Sequence, residues 1–543
     1  MYQLKTLLKN ALIYDGTGAE PVQSDVLLDG ERIAEVGENL NCPEAELIDL
    51  TGLSLSSGFI DAHSHNDWYA IKKEPVKYFE PFLRQGIVSF IAGNCGISAL
   101  GFEPDTAHKD KCGAGLFHFT DVTGEYATFS EYFDAIDGHM PMNLAVMLGH
   151  GTARASIAGY ENRALTDAEC ERMLSLLEEG LKAGACGLSL GLMYEPGLYA
   201  QAKELKKVAQ LCEKYDLPLA VHPRACSAVS MAYPNLFGRP HLLRALDELE
   251  EMVDGSALKL QYSHAIFVGE RSLKCKDELV GILDRMRTKG VDIMFDIYAN
   301  DNGVSVITVI MPVWYQAMSP EEKRKPFNKL KFSLMVKITT RLLGFGFDNI
   351  KIAYVGEGNE QYEGKTVHQI ARELGMTDLD AYLHLCEISN FAGRVIMRPY
   401  NTPEINQELA KHDHVLYMTD AWVEEHGVQN PAIYDCFPKF LHLALNDAGD
   451  TMPRTIRKMT GAVADRFSLR DRGYIRPGAF ADITIFDETK LKHGTPDRNE
   501  PFGIEMVFLN GRRVLDQGVL DEGVFRTAGQ ALRAGSFYSK HDI

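Results

Sequence analysis

The stretch GFIDAHSHND, residues 58–67, decides how this chain is read. It opens as a short apolar strand and closes on two histidines, His63 and His65, set two residues apart. Residues two apart on a strand point to the same face, so both imidazoles are expected to reach one ion. One such strand is a weak signal. Its value depends on whether the rest of the chain repeats it.

Seven further segments do: GIVSFIAG (86–93), NLAVMLGH (143–150), ACGLSLG (185–191), LPLAVH (217–222), LKLQYSH (258–264), VDIMFDIY (291–298) and HVLYMTD (414–420). Between them lie longer amphipathic patterns such as DAECERMLSLLEEGLKAG (167–184) and AKELKKVAQLCEKY (202–215). A short apolar strand followed by an amphipathic helix, repeated from Gly58 to about Leu469, is the pattern of parallel βαβ units. Eight parallel strands predict an α/β fold built on a (β/α)8 TIM-like barrel, whose chemistry sits at the C-terminal ends of its strands. Residues 299–413, between the seventh and eighth strands, are too many for a loop. They hold VWYQAMSPEEKRKPF (313–327), a basic stretch through KLKFSLMVK (329–337), and helix patterns near HQIARELG and LDAYLHLCEI. An insertion at about 305–400 is expected, either shaping the pocket or standing as a peripheral subdomain.

The two ends differ from the middle. ALIYDGTG, DVLLDGERIAEVG and AELIDLTGLSLSSG at one end, and GYIRPGAFADITIFD and EMVFLNGRRVLDQG at the other, place turn residues between short apolar and β-branched runs. The expectation is a small β-sandwich domain from residues 1–57 plus 475–543, with the barrel occupying 58–474.

Composition narrows the function. At 543 residues with 45% hydrophobic and 24% charged content, the chain is an ordinary globular one with a sizeable core. A formal charge of -19 argues against a nucleic-acid partner, which needs clustered Lys and Arg. MYQLKTLLKNALIYDG lacks the apolar run of a signal peptide, and no stretch approaches the roughly 18 uncharged apolar residues of a membrane span. A cytoplasmic enzyme without a membrane partner is expected. The ten cysteines are scattered and contain no CxxC pair, so any metal must be held by dispersed ligands.

Such ligands end most of the predicted strands. His63 and His65 close the first, Cys95 follows the second, His222 closes the fifth, His264 the sixth and Asp420 the eighth. Imidazole and thiolate suit Zn²⁺ at about 2.0 to 2.3 Å, with an open position left for water. A carboxylate beside that position, Asp420, can take a proton from the water and return it to a leaving amine. The bland alternatives are a buried apolar role for Cys95 and a rim salt bridge for Asp420.

The order His-x-His, His, His, Asp on strands one, five, six and eight resembles the amidohydrolase superfamily. GFIDAHSHND, GNCGIS, GHGTAR, GLSLGLMYEPGLYA, FPKFL and KMTGAVADRFSLRDRGYIRPGAFADITIFD resemble the N-acyl-D-amino-acid deacylases, or D-aminoacylases, over nearly the whole chain. In that family a cysteine after the second strand replaces the carboxylated lysine of other members. ACGLSLG has no lysine, and Cys95 sits in GNCGIS. The resemblance implies a tight zinc on Cys95, His222 and His264. It also implies a weaker second position from His63, His65 and Asp420 sharing Cys95, with Asp420 as catalytic acid/base.

The implied reaction is zinc-dependent hydrolysis of the amide of an N-acyl-D-amino acid, a small-molecule substrate, by metal-activated water. Two alternatives stay open: a related amidohydrolase acting on a cyclic amide or a dipeptide, and a catalytically silent binding protein of the same fold. Arg224, two after His222, is a candidate clamp for a substrate carboxylate or else a structural ion pair. Tyr194 matches a family position facing the pocket, and His150 is a substrate contact or a support for the metal site. Two departures bear on substrate. The Ser-His-x-Lys of relatives becomes Ser263-His264-Ala265-Ile266, and their Tyr-Pro-Tyr motif becomes Tyr298-Ala299-Asn300-Asp301-Asn302-Gly303.

Overall fold

Every one of the eight predicted segments contains a strand in the computed structural model, which describes residues 5–534 except 114, 115, 118, 120, 231, 234–237 and 317. These are β1 (Phe59–Asp61), β2 (Ile87–Ala92), β3 (Asn143–Val146, then Leu148–Gly149 past Met147), β4 (Leu188–Gly191), β5 (Leu219–His222), β6 (Lys259–Tyr262), β7 (Asp292–Ile297) and β8 (Val415–Tyr417). All are paired in parallel. The first part of β3 ends a three-stranded sheet in the order β1-β2-β3. Its second part begins a six-stranded sheet running β3-β4-β5-β6-β7-β8. Further backbone hydrogen bonds join the two sheets, from Met147 N–H to Ala92 (2.9 Å) and from Ala62 N–H to Tyr417 (3.3 Å).

The strands form as near-continuous apolar runs because both faces are covered. Phe90, Val146, Leu190, Val221, Leu260, Phe295 and Val415 are all fully buried. Helices pack outside them. In α1 (Asp167–Ala183), Thr166 and Glu169 form a reciprocal capping box, and Gly184 ends the helix at φ +117°. Its apolar stripe, Met173, Leu177 and Leu181, is buried against the core. The next helix, α2 (Ala202–Tyr215), repeats the pattern with Leu205, Val208 and Cys212.

Between β7 and β8 stands a unit with its own antiparallel sheet, Gly303–Val306, Arg394–Met397 and Ile350–Tyr354, the second strand central. It also carries α3 (Pro326–Leu343), α4 (Val367–Leu374) and α5 (Asp378–Ile388). No helix among the described residues is long and apolar enough to cross a membrane.

The chain ends meet in one nine-stranded sheet, to which residues 6–57 contribute five strands and residues 483–520 four. Ser54–Ser57 pairs antiparallel with Ile483–Phe486 at the seam. This sheet has its own apolar cluster, including Leu8, Val26, Leu55, Ile483 and Phe508. Residues 1–4 and 535–543 of the expected terminal unit lie outside the described residues. At the junction with the parallel strands, Arg472 is buried and donates to Asp482, to Asn510 Oδ1 (2.9 Å) and to Gln530 Oε1 (2.7 Å). Asn143 of β3 donates to the same Asp482 at 3.1 Å.

Candidate metal centre

The six predicted ligands converge beyond the C-terminal ends of the parallel strands. Of the six, only His222 lies within a strand; β1 stops at Asp61 and β6 at Tyr262. The expectation that His63 and His65 share a strand face is therefore corrected. The Asp61 carboxylate turns the chain out of the sheet by accepting the N–H groups of His63 (3.1 Å) and Thr419 (3.0 Å) and the Thr419 hydroxyl (2.5 Å). The two imidazoles still meet, with ring centroids 5.7 Å apart. Cys95, His264 and Asp420 adopt φ of +54°, +36° and +46°. Non-glycine residues rarely occupy that region, and a cluster of three marks a site where surrounding structure dictates the backbone.

Cys95 is the hub. Its Sγ lies 3.3 Å from His63 Nε2, 3.5 Å from His222 Nδ1 and 3.7 Å from His264 Nε2. Asp420 Oδ1 is 3.6 Å from His63 Nε2 and 3.7 Å from His65 Nε2. Sets of three donor atoms lie within 4.8 Å of one another: His63/His65/Cys95, Cys95/His222/His264 and His63/His264/Asp420. The Asp420 side chain is 23% exposed, whereas those of His63 and His65 are 0% and 5% exposed.

The loop that brings Cys95 in rests on the end of β4. A Cβ on Gly191 would stand 1.9 Å from the Cys95 carbonyl oxygen. The fourth strand therefore has no room for a ligand side chain at its last residue, and the thiol arrives from the neighbouring loop instead.

These residues fit a zinc ion. Three imidazole nitrogens face one buried cysteine sulfur, a weak hydrogen-bond partner for any of them and a donor set that suits a soft divalent cation. Ligands held tetrahedrally at about 2.3 Å through sulfur and about 2.1 Å through nitrogen stand about 3.6 Å apart, and the three sulfur-to-nitrogen distances bracket that value. Burial, reinforced by neighbouring imidazoles, keeps His65 and His222 well below the usual histidine pKa and His264 down to about 3, the neutral form a metal requires. Burial also raises the Asp420 carboxyl to about 6, against the pull of His63.

Sequence reading missed the acid that orients this cluster. Asp296, fully buried on β7, accepts the His264 N–H at 2.6 Å and the Gln261 amide at 2.8 Å, and lies 3.6 Å from His63 Nδ1. The signal was an aspartate inside the apolar run VDIMFDIY. Asp61 was missed likewise. Tyr298 and Tyr400 are buried in the same region, their hydroxyls disfavoured from ionising by burial and by Asp420 among their neighbours.

The predicted substrate contacts separate. Tyr194 packs its ring on His222 with centroids 4.7 Å apart. Arg224 is engaged: its Nε donates to Glu248 at 2.9 Å and its Nη1 to the Leu198 carbonyl at 2.6 Å. His150 is fully buried and its Nε2 lies 2.8 Å from Glu204, which also accepts from Arg154. That pairing, not contact with the six ligands, is its place in the structure. Ile266 is buried, 7% exposed.

Two cavities follow. One, about 220 Å³, is lined by Met193, Cys226, Val268, Val336, Leu343, Phe345 and Tyr400, with Arg224 at its edge. Cys226 Sγ is 4.0 Å from His222 Nε2, so this apolar cavity borders the ligand cluster. The other, about 700 Å³, is polar and includes Asn300, Asp301, Asn302, Asn406, Arg398 and Lys439. The altered Tyr298–Gly303 motif is thus split. Tyr298 is buried at the end of β7, while Asn300 to Asn302 line the polar cavity.

No family model matches the chain. D-aminoacylase of Alcaligenes xylosoxydans xylosoxydans is 25% identical over 518 residues, covering 94% of this chain and 94% of that protein. N-acyl-D-glutamate deacylase of the same organism is 26% identical over 531 residues, 95% and 94% of the two chains. Among solved structures, an N-acyl-D-glutamate deacylase from Bordetella bronchiseptica, complexed with zinc and a phosphonate mimic of the tetrahedral intermediate, superposes with a TM-score of 0.78. The match has 24% identity and covers 98% of this chain and 100% of that one. The chain is a homologue, over nearly its whole length, of D-aminoacylase and the N-acyl-D-amino-acid deacylases, and it shares the fold of these amidohydrolases.

Proposed function

We propose that this protein is a zinc-dependent hydrolase of the amide bond of N-acyl-D-amino acids, giving a D-amino acid and a carboxylate. The observation that carries the reading is the convergence of Cys95, His222 and His264 on one point with Asp420 beside them. On this reading, the two parallel sheets are one closed (β/α)8 barrel, supported by the hydrogen bonds that join β1 to β8 and β2 to β3. Residues 58–474 then form the metal-bearing unit, with about 305–400 inserted between β7 and β8. The two chain ends, 1–57 and 475–543 by the sequence reading, would form a β-sandwich unit in which the nine-stranded sheet folds over its own apolar cluster.

Cys95, His222 and His264 would hold the tight zinc, and His63, His65 and Asp420 a weaker second position. Zinc in such a donor set polarises a carbonyl and makes water acidic enough to attack it near neutral pH. The protein does the rest. Asp420 is the more solvent-exposed member of its contacts with His63 and His65, and so is placed to take a proton from water and hand it to the leaving nitrogen. Asp296 holds His264 through its backbone and faces His63, keeping the imidazoles aimed at one point. Tyr194 covers His222, and the apolar cavity beyond Cys226 would seat an apolar end of the substrate. Arg224 is tied to Glu248 and Leu198, and on this reading it forms part of the cavity edge more than a free clamp.

The experiment is a chromatographic assay of the zinc-loaded protein against N-acetyl and longer N-acyl derivatives of D- and L-amino acids, with hydantoins and dipeptides alongside. Release of free D-amino acid, faster than from the L-forms, is the expected result. Ring opening faster than deacylation would move the assignment to a cyclic amide, and no turnover of any D-substrate would remove it.

A further inference from the structure

The α3 helix of the insertion is apolar on two opposite sides. At about 100° per residue, Phe332, Val336 and Leu343 share one side. Phe332 and Val336 are buried, and Val336 and Leu343 line the apolar cavity bordering the ligand cluster. Phe327, Leu330, Leu334 and Ile338 fall on the other side, and they are 75%, 68%, 59% and 40% exposed. Their spacing of three and four residues makes one continuous outward stripe, which a water-facing helix does not need.

Charge surrounds that stripe. From Lys323 to Phe347 there are seven basic residues and no acidic one, in a chain whose formal charge is -19. Four of them are engaged within the protein: Arg324 pairs with Glu387 and Lys329 with Asp380, while Lys323 stands over the Phe391 ring and Lys331 over the Trp314 ring. Lys331, Lys337 and Arg341 are exposed on the same side as the stripe and have no acidic partner among the described residues. An exposed helical face combining four large apolar side chains with three cations that have no acidic partner among the described residues matches the surface of an anionic bilayer. The apolar groups would enter the headgroup boundary and the cations would meet phosphates. A second copy of the chain is a poorer occupant, because stripe-to-stripe packing would bring these cations against their own counterparts.

We propose that α3 docks this protein on an anionic phospholipid surface through Phe327, Leu330, Leu334 and Ile338, with Lys331, Lys337 and Arg341 selecting the negative headgroups. This departs from the expectation of an enzyme without a membrane partner. It does not depend on the reaction assigned to the metal centre. The docked face is the outer side of the helix that roofs the apolar cavity, so docking would place that cavity next to the lipid surface.

The test is co-sedimentation of the full chain with vesicles of phosphatidylcholine and phosphatidylglycerol in equal parts, and with vesicles of phosphatidylcholine alone. Binding at least about tenfold tighter to the anionic vesicles, weakened by salt, is the expected result. Leu330→Ser/Leu334→Ser should lose most binding to both vesicle types while its melting temperature is unchanged. Lys331→Glu/Lys337→Glu should lose the anionic preference alone. The proposal is overturned if the wild type fails to sediment with anionic vesicles, or if it and Leu330→Ser/Leu334→Ser sediment equally. A concentration-dependent dimer in light scattering, abolished by Leu330→Ser/Leu334→Ser in a protein that ignores vesicles, would also overturn it and assign the stripe to self-association.

Discussion

Asp296 accepts the backbone N–H of His264 at 2.6 Å and stands 3.6 Å from Nδ1 of His63, so one carboxylate sets two of the candidate ligands. It sits on β7 and reaches the loop after β6 on one side and the residues after β1 on the other. Partners of this kind fix the orientation of metal-bound imidazoles. Asp296→Ala is expected to weaken zinc binding by about 10- to 100-fold, measured by competition with a chromogenic chelator. Asp296→Asn, which can still accept from His264, should fall between it and the wild type. Equal affinities for all three would leave Asp296 with a folding role only.

Asp420 is expected to separate catalysis from metal binding. It is absent from the Cys95/His222/His264 group and lies beside His63 and His65. Asp420→Asn should therefore keep the tight zinc by elemental analysis, while kcat on an N-acetyl-D-amino acid drops by about 10²- to 10⁴-fold. Near-normal turnover would remove it from the proton path.

The packing of β4 against the Cys95 loop makes Gly191 a sensitive position. A methyl group there would stand 1.9 Å from a backbone oxygen, which cannot rotate away. Gly191→Ala should lower stability in urea by about 1 to 3 kcal/mol and, by shifting Cys95, reduce zinc per chain. Gly138, where an added Cβ has open space around it but φ is +68°, is a control for strain without displacement of the ligand loop.

Arg472 ties the terminal sheet to the parallel strands. It pairs in the interior with Asp482, which also accepts from Asn143 and from the Asn510 N–H. Burial lowers the guanidinium pKa, and Asp482 opposes that shift. Arg472→Met would strand the carboxylate and is expected to cost about 3 to 5 kcal/mol in chemical unfolding. Asp482→Asn added to it should recover part of the loss, and the absence of any recovery would show that packing of the long side chain, not charge, is what matters.

Much of this organisation was legible in the chain itself. Each of the eight apolar segments that suggested parallel strands contains one, because strands buried on both faces must read as apolar runs whatever surrounds them. The candidate ligands stood out for a related reason: histidine, cysteine and aspartate at the ends of such runs contrast with their apolar neighbours. Pairing of the two chain ends was readable from turn chemistry at Asp29-Gly30 and Asn510-Gly511.

What a linear pattern does not hold is direction after a strand stops. The strand-face argument for His63 and His65 failed because Asp61 ends β1 two residues early, and the imidazoles meet through a turn that no alternation encodes. The partners of His150 and Arg224, Glu204 and Glu248, come from helices that no local pattern ties to these strands, although Arg224 still lines the apolar cavity. Asp296, Tyr298 and Tyr400 belong to the site only because separate segments fold together around Asp420. The sequence by itself determined which chemical groups were available and on which elements they lay. Tertiary structure alone decided which of them face one another, because hydrogen-bond and ion-pair partners are chosen by distance in space.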